Sequence, residues 1–411
     1  MNSILLSILN SAIAAADPYD GVYRAVGERY KDCGRRISIL AIGKAACPMA
    51  KGAYDALGGN VRAAFALTKY GHTPADYPEG ITVSEAGHPV PDENGIAATK
   101  KILEYTDSLT QDDELIFLIS GGGSALFEYP LVPLPELRDI TNQLLACSAE
   151  ISEINSVRKR LSAVKGGKFA ARTRCPLYQI ILSDVVGDRL DSIASGPCAL
   201  DRTSPRDIRD ILNKYDLRLS DEAKELLLAP PPRINEPEHT FVGNVHILCE
   251  AAARAAESRG IDATVVTETL CGEAREVGKH IADGALLWRQ AHPDRQRLFI
   301  YGGETTVTLR GRGKGGRSQE LALACADVIA GTGEIYVLAA GSDGTDGPTD
   351  AAGGIVSGET KALIEAGGKP LAGYMDDNDA YNALKTADAL VFTGPTGTNV
   401  NDIVLVLINR K

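Results

Sequence analysis

The sequence lacks the cysteine spacing of a structural metal site. It has eight cysteines, and no two of them form a C-x-x-C pair. Structural zinc sites hold the metal through closely spaced Cys and His pairs, so the spacing argues against a site of this class. We expect the cysteines to be buried, reduced thiols in a cytosolic protein.

Basic residues are missing from the start of the chain, where none precedes Arg24. A secretory signal peptide begins with such charges, so the sequence argues against one. The apolar stretch 1–16 is also shorter than the roughly 20 residues that span a bilayer. We predict instead an amphipathic helix that ends near Asp17-Pro18, in a cytoplasmic protein that does not contact membranes.

Acidic residues outnumber basic ones, 54 to 43, which gives a net charge of −11. Such a surface repels nucleic acid and anionic lipid, so neither is an expected partner. Residues 155–174 are the exception, because they contain seven basic side chains and no acidic one. On a helix, Arg158, Ser162 and Lys165 would share one face. A run of this kind is either a solvated face or the lining of a phosphate or carboxylate site, and both interpretations stay open.

Short apolar runs alternate with glycine turns and helical stretches along the chain. This alternation predicts an α/β fold with a mostly parallel sheet and helices on both faces. In such sheets, ligands bind at the carboxyl ends of the strands. The predicted strands are 36–42, 114–119, 179–182, 263–267, 298–301, 305–309, 335–340 and 403–408, and the helices predicted in the second half are 246–259 and 275–289.

A proline-rich stretch at residues 230–237 interrupts the alternation. It predicts a domain boundary or crossover. We therefore assign residues 1–232 to an N-terminal α/β domain and residues 238–411 to a C-terminal one. The strand at 403–408 is a candidate member of the N-terminal domain.

Two glycine-containing strings follow predicted strands. Gly43-Lys44 places an ammonium group beside the N–H groups of a helix start, which is an anion site, but the P-loop spacing is absent. Taken alone, an exposed lysine explains this pair better. The run Ser120–Ser124 contains Gly121, Gly122 and Gly123, which allow close approach of the backbone and form a nest of N–H groups. Because a plain tight turn needs only one or two glycines, phosphate binding is the favoured interpretation.

Aspartates follow two further predicted strands: Asp184 and Asp188 in one string, and Asp343 and Asp346 in another. Carboxylate oxygens suit Mg²⁺ beside nucleotide phosphates, and the first string could also take a proton from an attacking hydroxyl. The alternative is a capping aspartate in a loop. The second string resembles an EF-hand loop but lacks its last glutamate, so a magnesium or nucleotide loop is the better interpretation.

The segment 311–316 is rich in glycine and precedes Arg317. We predict a flexible hairpin that delivers Arg317 to a helix start, where its planar guanidinium grips a carboxylate or phosphate. A disordered basic loop is the alternative, and it suits Arg312 and Lys314 better than it suits Arg317.

Together these strings resemble the class II glycerate kinase family, whose C-terminal part is called the MOFRL region. The resemblance extends from Gly43 to Asp402, nearly the whole chain. The matching pieces are GKAACPMAKGA, SGGGSAL, INSVRKRLSAVKGGKFA, LSDVVGDRLDSIASGP, GEAREV, GGETTV, GGRSQELALA, DGTDGPTDAAG and GPTGTNVND. The chain departs from the family at Ser318, Ser156 and Arg160, where Asn, Thr and His are usual.

The resemblance implies transfer of the ATP γ-phosphoryl group to D-glycerate, usually at the 2-hydroxyl, to give 2-phosphoglycerate. It also implies two α/β domains, the N-terminal one Rossmann-like, with the active site in the cleft between them. Phosphorylation at the 3-hydroxyl is one alternative. NAD(P)H-dependent reduction of hydroxypyruvate is another, but no G-x-G-x-x-G opens a βαβ unit with a ribose-binding acid downstream. A nucleotide or sugar-phosphate sensor without catalysis is a third, and homo-oligomer formation stays open.

Charge type and loop position, supported by this resemblance, suggest a role for each residue. Lys44 would neutralise the transferring phosphoryl group, Arg317 would clamp the glycerate carboxylate or the transition state, and Asp184 would act as base or metal ligand. The remaining assignments are Ser120, Gly121, Gly122, Gly123 and Ser124 for ATP phosphates, Asn155, Arg158, Lys165 and Glu304 for glycerate, and Asp184, Asp188, Asp343 and Asp346 for Mg²⁺.

Overall fold

The structure is a computed structural model that describes residues 1–31 and 33–410. Its helices are α1 (Asn2–Ala15), α2 (Pro18–Arg29), α3 (Ala46–Leu57), α4 (Glu93–Asp107), α5 (Gly123–Leu126), α6 (Leu134–Ala146), α7 (Ile151–Arg160), α8 (Lys168–Arg172), α9 (Pro205–Lys214), α10 (Asp221–Leu228), α11 (Val245–Glu257), α12 (Ala274–Ala291), α13 (Arg317–Val328), α14 (Thr360–Ala366), α15 (Leu371–Asp376) and α16 (Ala380–Thr386). Its strands are β1 (Ile37–Ile42), β2 (Val61–Lys69), β3 (Thr82–Ala86), β4 (Leu115–Ile119), β5 (Leu177–Leu182), β6 (His239–Gly243), β7 (Ala263–Leu270), β8 (Arg297–Gly303), β9 (Ile335–Gly341), β10 (Gly353–Ser357), β11 (Leu390–Val391) and β12 (Asp402–Ile408). Within the described ranges, no helix combines the length and apolar character needed to cross a membrane.

The chain divides into two compact units. The N-terminal unit comprises residues 18–242, and the C-terminal unit comprises residues 1–17 together with those from 243 onward. The assignment from sequence differed, because it placed the first helix with the N-terminal domain and the boundary at the proline stretch. The prolines instead lie between α10 and β6.

The N-terminal unit is built on a six-stranded sheet in the order β3-β2-β1-β4-β5-β6. The pairings of β3 with β2, β2 with β1, β1 with β4 and β4 with β5 are parallel. Both β1 and β4 are buried at every position, which explains why they appear as continuous apolar runs. The order matches that of Rossmann folds and confirms the predicted α/β class with a parallel sheet.

A helical layer of the N-terminal unit surrounds a second, smaller core. Helices α6, α7, α9 and α10 contribute buried aliphatic side chains to one cluster, among them Leu137, Val157, Ile208 and Leu227. This packing fixes the position of α7, which carries the predicted substrate residues Asn155 and Arg158.

The sheet of the C-terminal unit has the order β11-β10-β9-β12-β8-β7. Only β7 and β8 pair in parallel among its described pairings, and the others are antiparallel. Strand β12 is buried at all seven positions and lies between β9 and β8. The expectation that this strand joins the N-terminal sheet is therefore corrected: a fully buried strand needs cover on both faces, and the centre of this sheet supplies it.

Helix α1 belongs to the C-terminal unit because of its apolar stripe. Leu5, Ile8, Leu9 and Ala12 are buried and recur at three- and four-residue spacing, as on one face of a helix. The helix packs against α11. Periodicity predicted the helix itself, but not the core to which it contributes.

The predicted strand at 305–309 is wrong. Thr306 forms a single bridge, in which its N–H donates to the Gly272 carbonyl and its own carbonyl accepts from the Ala274 N–H, both at 2.8 Å. The N–H of Thr308, two residues after the bridge, donates to the Glu273 carboxylate at 3.0 Å. A side chain thus takes the place of a neighbouring strand, so the alternating pattern forms no ladder.

Helices α2 and α3 pack against each other, and one glycine on each helix provides a test of this contact. A Cβ on Gly52 of α3 would lie 2.6 Å from the Tyr19 carbonyl oxygen of α2, whereas a Cβ on Gly27 of α2 would meet no atom within 4 Å. We expect Gly52→Ala to reduce the free energy of unfolding by about 1–3 kcal/mol through overpacking. Gly27→Ala should instead raise it by about 0.5–1 kcal/mol, because alanine favours helix. Urea unfolding of both variants checks this, and equal effects would contradict it.

Candidate functional site

The strand order of the N-terminal sheet reverses between β1 and β4. These strands are neighbours, although β2 and β3 separate them in sequence. Loops that leave two such strands diverge to opposite sides and open a crevice at the carboxyl edge of the sheet, where ligands of α/β proteins bind. Lys44 follows β1 and Ser120–Ser124 follow β4, so two predicted strings lie at this switch point.

The loops after β1 and β4 interlock. The Lys44 N–H donates to the Gly121 carbonyl at 2.8 Å, and the Ala45 N–H donates to Ser120 Oγ at 3.1 Å. A Cβ on Gly43 would lie only 2.3 Å from Ser120 Oγ, so glycine is required for this approach. The structure therefore brings Gly43-Lys44 into contact with Ser120–Ser124, which is called the glycine string below.

Asp184 joins the same cluster from the end of β5. A Cβ on Gly121 would lie 2.1 Å from Asp184 Oδ2, so the carboxylate occupies the space that a side chain would fill. Asp188 lies four residues on, in a turn that its N–H closes by donating to the Val185 carbonyl at 3.0 Å. In residues 1–31 and 33–410, no three His, Cys, Asp or Glu side chains form a ready cation cage.

Two histidines that are not among the predicted site residues, His72 and His88, lie beside Lys44. A Cβ on Gly122 would be 3.1 Å from His88 Nε2 and 3.2 Å from Lys44 Cγ, and His72 Nδ1 is 3.4 Å from the Lys44 carbonyl oxygen. Burial and then the Lys44 charge lower the pKa of His88, and burial with nearby Lys69 lowers the pKa of His72. Both imidazoles are thus neutral near pH 7. A His placed two residues after the parallel strand β3 was the available signal.

The basic residues of segment 155–174 are called the basic run below. Within it, Arg158 contacts the glycine string. Its Nη2 lies 3.4 Å from the Ser124 carbonyl oxygen, and Ser124 Oγ lies 2.8 Å from Ser195 Oγ. Burial lowers the pKa of the Arg158 guanidinium. Asn155 lies one turn earlier on α7 and lines a groove of about 620 Å³, together with Ser156 and Lys159.

Lys165 is placed differently from Arg158. The helix α7 ends at Arg160, so Arg158, Ser162 and Lys165 do not share the helical face expected from sequence. The Lys165 side chain is fully buried, and its Nζ donates to Glu128 Oε2 at 2.5 Å and to the Phe127 carbonyl at 3.2 Å. The structure thus places Lys165 in a buried ion pair within the core.

Other cations of the run also bind protein groups. Lys168 Nζ donates to the carbonyls of Lys159, Arg160 and Ser162 at 2.8, 2.9 and 2.7 Å, which satisfies the C-terminal end of α7. Arg172 pairs with Asp107. Much of the positive charge thus serves the fold.

The three departures from the family pattern have distinct environments. Arg160 is buried, and its guanidinium donates to the carbonyls of Ala229 and Thr203. Ser156 Oγ donates to the Ser152 carbonyl at 2.8 Å, so the hydroxyl is retained in a structural contact. Ser318 is buried, and its N–H lies 3.2 Å from Asp346 Oδ1.

A second cluster, the arginine cluster, lies in the C-terminal unit around the first residue of α13. Arg317 Nε and Nη2 donate to the two oxygens of Asp402 at 2.6 and 3.0 Å, and Nη1 donates to Glu304. Asn401 Nδ2 donates to the other Glu304 oxygen at 3.2 Å. These acceptors hold the guanidinium in one orientation, and they raise its pKa further despite burial.

The carboxylates of the arginine cluster are buried to different degrees. Burial raises the pKa of Asp402 to about 7, although Arg317 opposes the shift, and burial raises the pKa of Asp346 to about 6. Asp346 accepts from the N–H groups of Ser318 and Gln319 at 3.2 and 2.8 Å, which caps α13. Asp343 Oδ1 accepts from the Thr345 N–H at 3.0 Å.

The glycine-rich segment 311–316 is anchored along its length, contrary to the flexible hairpin expected from sequence. Asn378 Oδ1 accepts from the N–H groups of Arg310 and Gly311 at 2.6 and 3.0 Å. The Arg312 N–H donates to Asp377 Oδ1 at 2.9 Å, and the Lys314 N–H donates to Asp379 Oδ1 at 3.0 Å. Side chains thus take up the backbone donors that a phosphate nest would need.

Two residues of this unit that position Arg317, Asp402 and Asn378, are not among the predicted site residues. Asp402 was part of a matching string but received no role. Asn378 had no motif to mark it, since its importance arises from contacts with the glycine segment and with Glu320 Oε2 at 3.0 Å. Glu320 in turn accepts from Arg275 Nε at 2.8 Å.

Comparison with known proteins covers nearly the whole chain. A domain of unknown function (DUF4147) matches residues 4–228, and the MOFRL family matches residues 297–402. The chain is 43% identical to a D-glycerate 2-kinase of Thermotoga maritima, covering 99% of this chain and 98% of that protein. It is 40% identical to a glycerate 2-kinase of Pyrococcus horikoshii, covering 100% and 98%. A crystal structure of glycerate kinase from Thermotoga maritima superimposes with a TM-score of 0.95 over 99% of both chains.

Lys165 offers a direct test of its position. Lys165→Met leaves the buried Glu128 carboxylate without its counter-charge, so we expect the free energy of unfolding to fall by about 3–5 kcal/mol in urea titrations. The double variant Lys165→Met/Glu128→Gln removes both charges and should recover much of the loss. Unchanged stability of Lys165→Met, with only a raised KM for substrate, would instead indicate a binding role.

Asp346 predicts a pH dependence of stability. Its pKa is about 6 when folded and near 3.8 when unfolded, so between these values the folded state binds the proton more tightly. The free energy of unfolding should therefore fall as pH rises from about 4 to about 6, by about 3 kcal/mol, and then level off. The contribution is isolated by subtracting the profile of Asp346→Asn from that of the wild type. A difference that does not change with pH would refute the shift.

Proposed function

Because the chain belongs to the class II glycerate kinase family, we propose that it transfers the γ-phosphoryl group of ATP to the 2-hydroxyl of D-glycerate, giving 2-phosphoglycerate. The observation that carries this proposal is the assembly of Lys44, the glycine string and Asp184 at the switch point of a Rossmann-like sheet. Phosphoryl transfer needs positioning and charge neutralisation more than covalent chemistry, and these residues supply both.

Lys44 neutralises the transferring phosphoryl group in this proposal. The Lys44 N–H donates to the Gly121 carbonyl, so the Lys44 backbone has a fixed position relative to the glycine string. In this proposal the glycine string binds the phosphates. The neutral imidazole of His88 beside it leaves the positive charge concentrated on Lys44. A fixed charge of this kind stabilises the transition state without reorganisation during the reaction.

Asp184 fits the role of magnesium ligand. A phosphate on the Gly121 backbone would meet the Asp184 carboxylate directly, and two anions at this distance repel each other. Mg²⁺ commonly binds through one or two carboxylates plus substrate phosphates, so Asp184 supplies a suitable protein ligand. Bound there, the cation would offset the charge of the phosphates. Asp343 is a second candidate, whereas both oxygens of Asp346 cap α13.

The proton of the attacking hydroxyl needs an acceptor in the same cluster. Asp184 is the acceptor assigned from sequence, and the neutral imidazole of His88 is another. Either group would accept the proton as general base, while Lys44 keeps its positive charge.

Arg317 is proposed to clamp the glycerate carboxylate or the transition state. Asp402 holds Nε and Nη2 in a bidentate contact, while Nη1 binds Glu304, whose side chain is 40% exposed. Nη1 can therefore exchange Glu304 for an incoming anion while Asp402 keeps the guanidinium oriented. Such preorganisation lowers the cost of binding a planar anion.

The proposed activity is tested with the purified chain, Mg-ATP and D-glycerate. We expect ADP release and formation of 2-phosphoglycerate, identified by ³¹P NMR against the 3-phosphate. A parallel assay with NADH and hydroxypyruvate tests the reductase alternative. NADH oxidation without ATP consumption would overturn the kinase proposal.

Substitutions test the two cationic roles. Lys44→Ala and Arg317→Ala should each lower kcat/KM by on the order of 10²–10³-fold, because each removes a charge that stabilises the transition state. Lys51→Ala and Arg254→Ala are matched controls, since these exposed cations pair with Asp55 and Glu250 on helix surfaces. Values within about tenfold of wild type for Lys44→Ala and Arg317→Ala would show that these assignments are wrong.

A further inference from the structure

A groove of the N-terminal unit lies beside α7. Its volume is about 620 Å³, within the range of small-molecule sites. Glycerate has only seven non-hydrogen atoms and would fill a small part of it. Residues of α7 and α9 line it, among them Asn155 and Asp210.

This groove adjoins the glycine string through one short segment. Asp191 and Ser192 line the groove, and three residues later Ser195 Oγ lies 2.8 Å from Ser124 Oγ. Between them, the Ala194 Cβ lies 2.8 Å from where a Cβ on Gly123 would be. Helix α7 makes the same connection, because Asn155 and Lys159 line the groove while Arg158 reaches the Ser124 carbonyl. A ligand could thus extend from the glycine string into the groove.

The charges of the groove are balanced. Four basic and four acidic side chains line it. Several are paired with each other: Lys214 with Glu153 at 2.9 Å, and both Lys159 and Arg189 with Asp191 at 3.4 and 3.0 Å. A small anion such as glycerate gains little from a lining without net charge. An uncharged group with many hydroxyl and ring-nitrogen atoms suits it better.

We propose that this groove binds the nucleoside part of ATP, with the phosphates directed toward Ser120–Ser124. Asn155, which was assigned to glycerate from sequence, then belongs to the nucleoside site. The Asp191 carboxylate and the Ser192 hydroxyl offer partners for ribose hydroxyls, and Ile151 and Ile211 offer apolar contact for the base. This inference rests on the proposed function, because it assigns the two ends of the nucleotide to two parts of the N-terminal unit.

The test obstructs the groove without touching the glycine string. Asp210→Trp places a large side chain at an exposed groove-lining position of α9, and Arg206→Trp is the matched control at an exposed position of the same helix outside the lining. Ser152→Trp obstructs the opposite wall and serves if Asp210→Trp does not fold, as judged by circular dichroism. The measurements are ADP affinity by calorimetry, KM for ATP and D-glycerate, and inhibition by inorganic triphosphate.

We expect Asp210→Trp to weaken ADP binding and raise the KM for ATP at least tenfold. The KM for D-glycerate and the inhibition constant of triphosphate should stay within threefold, because neither ligand enters the groove. Equal loss for ADP and triphosphate, a rise in the D-glycerate KM alone, or no change would each overturn the proposal. Calorimetry with ADP does not need turnover, so a wild type that binds ADP in the groove but fails to phosphorylate glycerate would reject only the proposed function.

Discussion

The parallel pairing of β1 with β4 is the constraint on which the proposed phosphate site depends. It places two loops that are 77 residues apart in register at one sheet edge, as Ile42 pairs with Ile119. The loops then meet backbone to backbone, through the Lys44 N–H and the Gly121 carbonyl. Glycine at position 43 makes that approach sterically feasible. Lys44 is therefore held by the same hydrogen bonds that shape the glycine string.

The arginine cluster illustrates a different balance of forces. One guanidinium is surrounded by Glu304, Asp346 and Asp402, and burial disfavours the charge on the two aspartates. Bidentate contact with Asp402 orients Arg317, while the more exposed Glu304 is the partner that a ligand can replace. The network through Asn378, Glu320 and Arg275 supports the same end of α13. A cationic residue can thus be positioned for an anion before that anion arrives.

The basic run 155–174 shows why charge composition is ambiguous. Within it, Arg158 reaches the glycine string, Lys165 forms a core ion pair, and Lys168 satisfies the end of α7. All three have the same sign of charge and lie within eleven residues. Their different roles depend on where α7 ends and on the position of Glu128, which neither spacing nor charge reveals. The motif strings were more informative, because glycine and lysine after a buried strand constrain both geometry and chemistry.

From the residues alone one could predict the α/β class, seven of the twelve described strands, and the strings that follow β1 and β4. Apolar runs and glycine turns are local signals, and parallel strands must present their carboxyl ends on one edge. The folded chain was needed to show that α1 and β12 belong to the C-terminal unit, that the segment 311–316 is anchored, and that Lys165 is buried. These outcomes depend on contacts between residues far apart in sequence, for which the chain carries no local pattern.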